Sequence, residues 1–443
     1  MSSQAPSDTV PEPDPGCDCE VLVIGGGPAG STVASLLARR GIDIVLLDKD
    51  RHPRFHIGES LLPANLPLFE QLGVADEIRA IGMHKPGIEF VSPTHAHRSY
   101  LEFADSWNRR LDHAYQVRRS EFDLVLLRNA ERSGARVRQG CRVKDATFGG
   151  EHVAVDSVDD DGTRRHWRAQ FLIDASGRDT FLSTRMKLKR KNKAHNSSAL
   201  FAHFEGAQRL EGRIEGNISI FWFEHGWFWF IPLPGGVTSI GAVCWPYYLK
   251  TRSKPLPEFF QDTIALCPPL AERLRDARLA SEVHATGNYS YSSDRCHGHR
   301  HLIIGDAFSF IDPVFSSGVY LAMRNGFHAA DAVQACLREP AAAPRALARF
   351  DKLVRHGPRE FSWYIYRVTN PSMRELFMYP QDVLRVRAAL LSLLGGDIYG
   401  ESPIRPSLWA FKAIYYLSSL ARLPRTLRAA RQRRINIRDP QPS

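Results

Sequence analysis

The cysteine pattern expected of a disulfide-bonded protein is missing from this chain. Seven of its 443 residues are cysteine, an odd number, and they are scattered along the sequence. A disulfide framework needs pairs in an oxidising compartment, so the pattern indicates a reduced cytosol and a cytoplasmic protein. The start of the chain also lacks a basic region followed by an apolar core, so neither a signal peptide nor a transmembrane segment is predicted there.

Clusters of metal ligands are missing as well. The densest candidate is CHGHRH at 296–301, and no second ligand cluster stands elsewhere. Structural zinc sites usually draw ligands from two such clusters. We therefore predict a solvated loop at this segment and no bound metal, with metal binding as the alternative.

The composition is otherwise that of a globular protein. Hydrophobic residues make up 43% and charged residues 24%, and the length predicts two or three domains. Residues 1–19 are acidic and rich in proline, which predicts a disordered leader. The net charge of +10 favours an acidic partner. Nucleic acid is not predicted as that partner, because no recognition motif accompanies the positive charge.

A dinucleotide-binding pattern follows the leader. The run VLVIGGGPAGSTVASLLARRGIDIVLLDK predicts a buried strand, a glycine turn, a helix and a second strand. Gly25, Gly27 and Gly30 form G-x-G-x-x-G where the first strand meets the helix, and Asp48 ends the second strand. The glycines permit a tight turn and close approach of a pyrophosphate, and the carboxylate can accept a ribose hydroxyl. The alternative is a coincidental turn.

Two later segments bear on which dinucleotide is bound. FLIDASGRD (171–179) and HLIIGDAFSFIDPVFSSGVYLAM (301–323) each predict a buried strand that ends in a turn of small residues. Asp306, at the end of such a strand, can bind a ribityl hydroxyl, although both segments can also be structural turns of an α/β sheet. No second G-x-G-x-x-G stands between a strand and a helix, so a nicotinamide-binding domain within the chain is not predicted.

The remaining segments predict two further layers. GNISIFWFEHGWFWFIPLPGGVTSIGAVCW alternates aromatic residues with period two, which indicates a sheet covered on at least one face. After about residue 325 the pattern becomes helical. We expect an α/β fold: a Rossmann-type FAD-binding domain, an interleaved mixed β-sheet substrate domain and a C-terminal helical region. The predicted division is 20–75, 115–185 and 298–335 for the FAD-binding domain, 76–114 and 186–297 for the substrate domain, and 336–443 for the helical region.

Several motifs together resemble one enzyme family. They are GGGPAG (25–30), GES (58–60), the lysine of KPGIEF (85–90), VRRSEFD (117–123), DASG (174–177), WFWFIP (227–232) and GDAFSFIDPVFSSGV (305–319). From about residue 20 to about 400 the chain resembles the FAD-dependent halogenases, a branch of the flavin monooxygenases of the p-hydroxybenzoate hydroxylase type. A flavin hydroxylase or an FAD-dependent reductase of the same superfamily is the alternative, because it shares the FAD motifs.

The resemblance implies the cofactors and their residues. The family uses FADH2 from a separate flavin reductase, O2, and chloride or bromide to make hypohalous acid. The residues that match its FAD-binding positions are Gly25, Gly27, Ala29, Gly30, Asp48, Lys49, Glu59, Ser60, Arg119, Gly177, Asp306, Gly318 and Val319. Ser317 and Gly318 match the halide-binding positions, where amides at a helix start suit an anion.

The resemblance also implies how the oxidant is confined. Lys85 matches the lysine that receives hypohalous acid, as a hydrogen-bond donor or as a transient haloamine, and burial that lowers its pKa favours the second route. Trp227, Trp229, Ile231 and Pro232 match the family's W-x-W-x-I-P strand, and Phe315 belongs to the same substrate tunnel. Without the other motifs, a surface lysine and a sheet core would explain Lys85 and the tryptophans.

One position departs from part of the family. Where the tryptophan-halogenating branch carries a glutamate base, this chain has Phe315, and an apolar ring cannot accept a proton. The DPVFSSG form resembles the branch that acts on pyrroles and phenols held on acyl or peptidyl carrier proteins. We therefore expect an electron-rich aromatic substrate, either free or held on an acidic carrier protein, rather than free tryptophan.

A basic tail provides a candidate docking surface for such a partner. ARLPRTLRAARQRRINIR (421–438) contains seven arginines, and four of them are spaced by three residues on a predicted helix. A solvated terminal helix is the alternative to carrier docking, and an anionic membrane surface is a third reading.

Overall fold

The computed structural model describes residues 18–192, 195–287, 290–400 and 402–437. The predicted disordered leader lies outside these ranges except for its last two residues, and Arg438 of the basic tail also lies outside them. The strands are β1 (Cys19–Ile24), β2 (Ile44–Asp48), β3 (Met83–Lys85), β4 (Gly87–Val91), β5 (Ser99–Glu102), β6 (Ala114–Gln116), β7 (Arg136–Gln139), β8 (Cys141–Gly149), β9 (His152–Asp159), β10 (Arg164–Asp174), β11 (Lys189–Lys191), β12 (Ser198–Glu205), β13 (Ile218–Phe223), β14 (Gly226–Pro232), β15 (Val237–Cys244), β16 (Arg278–Leu279), β17 (His284–Gly287), β18 (Tyr291–Ser293), β19 (His297–Gly298), β20 (His301–Ile303) and β21 (Ser309–Phe310).

The α-helices alternate with the strands early in the chain and follow one another after residue 318. They are α1 (Pro28–Arg39), α2 (Leu66–Leu72), α3 (Ala75–Ile81), α4 (Arg119–Arg132), α5 (Phe181–Arg185), α6 (Pro246–Lys250), α7 (Leu256–Ala265), α8 (Pro268–Arg273), α9 (Gly318–Arg338), α10 (Ala343–Ile365), α11 (Pro371–Met378), α12 (Val386–Leu394), α13 (Arg405–Ala421) and α14 (Leu423–Ile437). The predicted helical region after about residue 325 is confirmed.

A parallel sheet forms the first layer. Its strands β20, β10, β1, β2 and β7 lie side by side and run parallel. The hairpin of β8 and β9 extends it antiparallel to β10. All six residues of β1 are buried, as the continuous apolar run predicts for a strand covered on both faces. This arrangement of strands and helices confirms the predicted Rossmann-type α/β layer.

A second, mixed sheet stands beside the first. Its order is β16, β12, β15, β14, β13, β4 and β5, and β17 also pairs with β12. The β13–β4 pairing is parallel whereas the other pairings in this sheet are antiparallel. The predicted mixed sheet is therefore confirmed, and the exact domain boundaries given above stay a prediction.

The alternating aromatics of β14 divide between two buried cores. Trp227, Trp229 and Ile231 pack into the core that includes residues of α9–α13. Phe228 and Phe230 pack on the opposite face with residues of α7 and α8. Because successive side chains of a strand point to opposite faces, this segment separates two apolar layers, and both faces of the sheet are covered.

Candidate active site

A cavity of ≈ 440 Å³ lies at the carboxyl ends of the parallel strands and reaches the second sheet. Ligands of open α/β sheets bind at this edge, where the chain passes from strand to helix. Fifteen of the residues predicted from the sequence line it: Gly25, Gly27, Ala29, Asp48, Lys49, Glu59, Ser60, Arg119, Gly177, Trp227, Trp229, Ile231, Asp306, Gly318 and Val319. Five predicted residues are not part of its lining: Gly30, Lys85, Pro232, Phe315 and Ser317.

The glycine turn has room only for glycine at two positions. Gly25 has φ +99°, and a Cβ there would lie 2.4 Å from the carbonyl oxygen of Ala175. A Cβ on Gly30 would lie 1.9 Å from the carbonyl oxygen of Gly25. Gly30 therefore holds the helix close to the strand and does not itself face the cavity.

Gly27 opens the same turn toward the cavity. Among the residues that the structure describes, a Cβ at Gly27 would meet no heavy atom within 4 Å, and no side chain caps the N-terminus of α1. The first amides of a helix lack intrahelical acceptors and lie at the positive end of its dipole. The turn thus offers space and donors to a diphosphate, which fits the diphosphate of FAD.

Asp48 is held as an ionised acceptor at the end of β2. It is 3% exposed, its Oδ2 accepts from the Gly26 amide at 2.6 Å, and its Oδ1 accepts from the Asp50 amide at 2.8 Å. Burial raises the pKa of this carboxyl, but hydrogen bonds from His52, Asp50 and Gly26 outweigh burial and leave the pKa below its usual value. A ribose hydroxyl is a suitable donor to such a carboxylate.

Arg119 begins α4 with its guanidinium on the cavity wall. It forms a bidentate ion pair with Asp123, at 2.8 and 2.9 Å, and donates to the Ile57 carbonyl at 2.9 Å. Burial raises the pKa of Asp306 to about 6, against the lowering effects of Arg119 and Arg178. The cation of Arg119 and the carboxyl of Asp306 are thus both in buried surroundings at the cavity.

Glu59 has a partner that the sequence analysis missed. Its Oε1 lies 2.8 Å from His203 Nε2, whereas its Oε2 is buried and has no hydrogen-bond partner among the described residues. The period-two run ALFAHFEGA places Phe201 and His203 on the same face of β12, and that alternation was the available signal. A buried carboxylate oxygen without a donor favours a ligand that supplies one.

Further cavity residues were also missed. They are Ile24, Pro28, Leu47, Asp50, Arg54, His56, Ile57, Gly58, Cys141, Arg142, Val143, Ala175, Ser176, Arg178, Asp179, Phe181, Ile218, Phe310, Pro313, Ser316 and Ala322. His56 lies two residues before the GES motif, and burial lowers its pKa to about 4. The loop before GES belongs to the site because it follows β2, whose end lies at the cavity, and because Arg119 of α4 donates to the Ile57 carbonyl.

Lys85 lies behind the cavity wall and not on it. Its side chain is 1% exposed, and Nζ donates to Ser60 Oγ and to the Leu61 carbonyl, both at 2.9 Å. Nζ also lies 5.5 Å from the centroid of the Phe103 ring. Burial lowers the pKa of Lys85 to about 7. Because Ser60 lines the cavity, one side chain separates this amine from it.

The predicted halide positions lie at the start of α9. Ser317 is buried at the N-cap position, and its Oγ has no hydrogen-bond partner within the described ranges. Gly318, the first helical residue, lines the cavity. Phe315, just before them, is buried, with its ring centroid 6.1 Å from that of Phe377. A hydroxyl without a hydrogen-bond partner, next to the amides of a helix N-terminus, can bind an anion.

The two tryptophans of β14 form part of the cavity wall. Their ring centroids lie 6.1 Å apart, and the indole N–H of Trp229 donates to Ser239 Oγ at 3.1 Å. Ile231 also lines the cavity, whereas Pro232 ends the strand beyond it. Trp227 and Trp229 therefore lie at the boundary between the cavity and the apolar core.

The described residues include neither a cluster of metal ligands nor a helix that could span a membrane. Among them, no three histidine, cysteine, aspartate or glutamate side chains gather as metal ligands. The solvated loop predicted at 296–301 is wrong, because the segment forms part of the paired strands β19 and β20 and its Cys296 and His301 are buried. The Cys296 thiol lies 3.2 Å from Asp351 Oδ1. None of the helices in the described ranges is both long and apolar enough to cross a membrane.

Comparison with known proteins decides the family. The FAD binding domain family matches residues 18–352. A flavin-dependent halogenase from Penicillium aethiopicum is 34% identical over 355 residues, which are 72% of this chain and 65% of that protein. One from Armillaria mellea is 34% identical over 363 residues, 76% of this chain and 68% of that protein. The chain belongs to the flavin-dependent halogenase family. It binds FAD through the domain that the family profile covers.

Solved structures agree with this assignment. The myxobacterial chondrochloren halogenase is 31% identical, with a TM-score of 0.75 over 91% of this chain and 96% of that one. A flavoprotein/dehydrogenase from Cytophaga hutchinsonii has a TM-score of 0.83 at 26% identity, over 91% of this chain and 100% of that one. The matches to the two curated fungal halogenases, in contrast, cover only about two thirds of their length, 65% and 68%.

Proposed function

We propose that the chain is an FAD-dependent halogenase that uses O2 and chloride or bromide to halogenate an electron-rich aromatic ring. The observation that carries the proposal is the fully buried amine of Lys85, one side chain behind a cavity that is built for FAD and bounded by Trp227 and Trp229. A hydroxylase would have no use for a buried amine with a lowered pKa at this place. Reduced FAD, supplied by a separate reductase, activates oxygen and so provides the oxidising equivalent.

The residues of the chain have separate roles in this proposal. Ser317 and the amides at the start of α9 hold halide beside the cofactor cavity. Trp227 and Trp229 keep the organic substrate away from the cofactor. Lys85 takes hypohalous acid and delivers the halogen to the ring. The neutral amine replaces hydroxide at the halogen to give a haloamine and water, and the protonated amine instead donates a hydrogen bond to the acid.

The experiment that tests the function is a comparison of products with and without halide. The purified chain is incubated with FAD, a flavin reductase, NADH, O2 and phenol or pyrrole substrates. We expect products with the paired isotope peaks of bromine when bromide is present. A hydroxylated product formed equally well without halide would support the alternative, a hydroxylase. NADH-dependent reduction of FAD by the chain when the flavin reductase is left out would support a reductase.

We further propose that an acidic carrier protein presents the substrate at the basic face of α14. The supporting observation is charge: Arg425, Arg428 and Arg431 are exposed, and residues 405–437 contain no acidic side chain. The preceding helix α13 also has exposed apolar residues, such as Leu417 and Leu420. A surface of this kind attracts an acidic partner and can pack against it.

Neutralising this face should affect only a tethered substrate. We expect Arg425→Gln/Arg428→Gln/Arg431→Gln to lower kcat/KM for a carrier-bound phenol about tenfold at low salt, with a smaller loss at high salt. Steady-state kinetics on the bound and the free phenol would measure the difference. The matched control, Arg109→Gln/Arg252→Gln/Arg345→Gln, removes three exposed arginines elsewhere. Equal losses in both triple variants would contradict docking at α14.

A further inference from the structure

A second cavity, of ≈ 290 Å³, lies at the end of the mixed sheet away from the residues described above. It is bounded by the end of β4, the β13–β14 turn, the start of α8 and one side chain from α11. Its apolar wall consists of Val91, Pro93, Phe223, Leu266, Cys267, Pro268 and Pro269. Its polar residues are Trp222, Glu224 and Arg374. An apolar cavity with a few convergent polar groups is the usual form of a small-molecule site.

Arg374 is a half-buried cation that forms no ion pair with any of the described residues. The centre of its guanidinium lies 5.4 Å from the Trp222 ring centroid, and its Nε has no hydrogen-bond partner within the described part of the chain. Burial lowers the pKa of Arg374 to about 10, so it stays charged at neutral pH. Its neighbour Glu375 pairs instead with Arg422 at 3.1 Å and lies 3.5 Å from His95. Glu224 is exposed and makes no ion pair with it among the described residues.

Trp222 adds a second unused donor at the same place. It is 1% exposed, and its indole N–H has no acceptor among the described residues. A buried donor without an acceptor costs free energy, and a buried charge without a partner costs more. Both costs are removed at once by an oxyanion that accepts from the guanidinium and from the indole N–H.

We propose that Arg374 and Trp222 bind the carboxylate or phosphate of a small organic anion whose apolar part lies against the prolines and Phe223. A carboxylate on an aromatic ring fits best, because the guanidinium and the indole N–H provide donors for the oxyanion while the remaining wall, apart from the exposed Glu224, is apolar. Halide is a poorer fit, because one spherical ion cannot use both an apolar wall and two separate donors.

The position of the site connects it with the substrate. Trp222 pairs with Trp227 across β13 and β14, and its ring centroid lies 6.5 Å from that of Phe377, which also contacts Phe315. The anion site is therefore at the outer end of the apolar layer that contains the predicted tunnel residues. We infer that it recognises an acidic group on the substrate. Recognition of the substrate by this site rests on the proposed function, whereas the binding of an anion at the site does not depend on it.

Binding measurements test the site without any turnover. Isothermal titration of the FAD-loaded full chain with benzoate should show binding, and the neutral isostere benzamide should bind at least about tenfold more weakly. Arg374→Gln should weaken benzoate about tenfold or more, and Trp222→Phe, which keeps the ring and removes the N–H, about fivefold. Arg252→Gln, at an exposed arginine, is the control and should bind benzoate as the wild type does.

Other anions distinguish the sources of the oxyanion. Inorganic phosphate that binds as tightly as benzoate, and loses affinity in Arg374→Gln, would support the site with phosphate as its ligand. Bromide that displaces benzoate at equal concentration would overturn the proposal, and so would benzoate binding that is unchanged in Arg374→Gln. Because that substitution removes a half-buried charge that has no ion-pair partner among the described residues, the variant should fold, and its Tm should be close to that of the wild type or above it.

Kinetics test the link to the reaction separately. With 4-hydroxybenzoate as substrate, Arg374→Gln should raise KM with little change in kcat, whereas with 4-hydroxybenzamide it should change neither. If benzoate binding depends on Arg374 but both phenols behave alike, the anion site stands and its role in substrate recognition fails. If neither phenol is halogenated by the wild type, the proposed function fails on these substrates and the binding result is unaffected.

Discussion

A Lys85→Met protein should keep FAD and lose halogenation by about 100-fold or more, the size of effect typical when a reacting proton or nucleophilic group is removed. Methionine matches lysine in its unbranched shape, so the buried position stays filled. FAD absorbance of the purified variant and the rate of bromoarene formation are the two measurements. Lys254→Met, at an exposed lysine paired with Asp262, is the control and should retain the wild-type rate.

The pH dependence of the wild type separates the two chemical roles of Lys85. Burial lowers its pKa from 10.5 to about 7. If the neutral amine forms a haloamine, the rate should rise as the pH passes about 7. If the ammonium acts as the donor, the rate should fall over the same range. A Lys85→Met protein that keeps both FAD and full halogenation would refute either role.

The lowered pKa of Lys85 also predicts how the free energy of unfolding changes with pH, and this can be measured without an activity assay. Between about pH 7 and pH 10.5 the unfolded chain binds a proton at Lys85 that the folded chain does not bind. The free energy of unfolding therefore rises with pH in this window. Since one pKa unit corresponds to about 1.4 kcal/mol, the total gain is a few kcal/mol at most. Relative to Lys85→Met, the wild type should gain stability from pH 7 to 10.5 in urea unfolding, and no such gain should appear below pH 7.

The second large effect is expected at Arg119. Arg119→Met leaves the buried Asp123 carboxylate without its bidentate partner, and breaking a buried pair in this way costs about 3–5 kcal/mol. We expect a lower Tm together with loss of FAD. Thermal unfolding and FAD titration of the same preparation would measure both.

The double variant Arg119→Met/Asp123→Leu separates packing from cofactor binding. Replacing both members of the pair by apolar residues should restore most of the stability. FAD affinity should stay reduced, about tenfold or more, because the guanidinium on the cavity wall is still missing. If the double variant bound FAD as tightly as the wild type, Arg119 would have only a structural role.

The spacing of residues along the chain predicted much of the fold and many of the residues that line the cavity. The glycine turn could be predicted because only glycine fits a φ of +99° at Gly25 and the close approach at Gly30. Asp48 followed from its place at the end of a buried strand. The aromatic alternation of β14 predicted a covered sheet because the period of a strand is two.

The sequence by itself thus determined the layers of this protein and its glycine turn, because those depend on short-range periodicity and on backbone space, and its motifs indicated the family by resemblance. Only the tertiary structure decided what distant residues do to one another. It placed Lys85 behind Ser60 and paired Glu59 with His203. It also left Arg374 Nε and the Trp222 indole N–H without an acceptor in the described part of the chain. Burial and the nearness of charges depend on how separate segments pack, and spacing along one chain does not specify them.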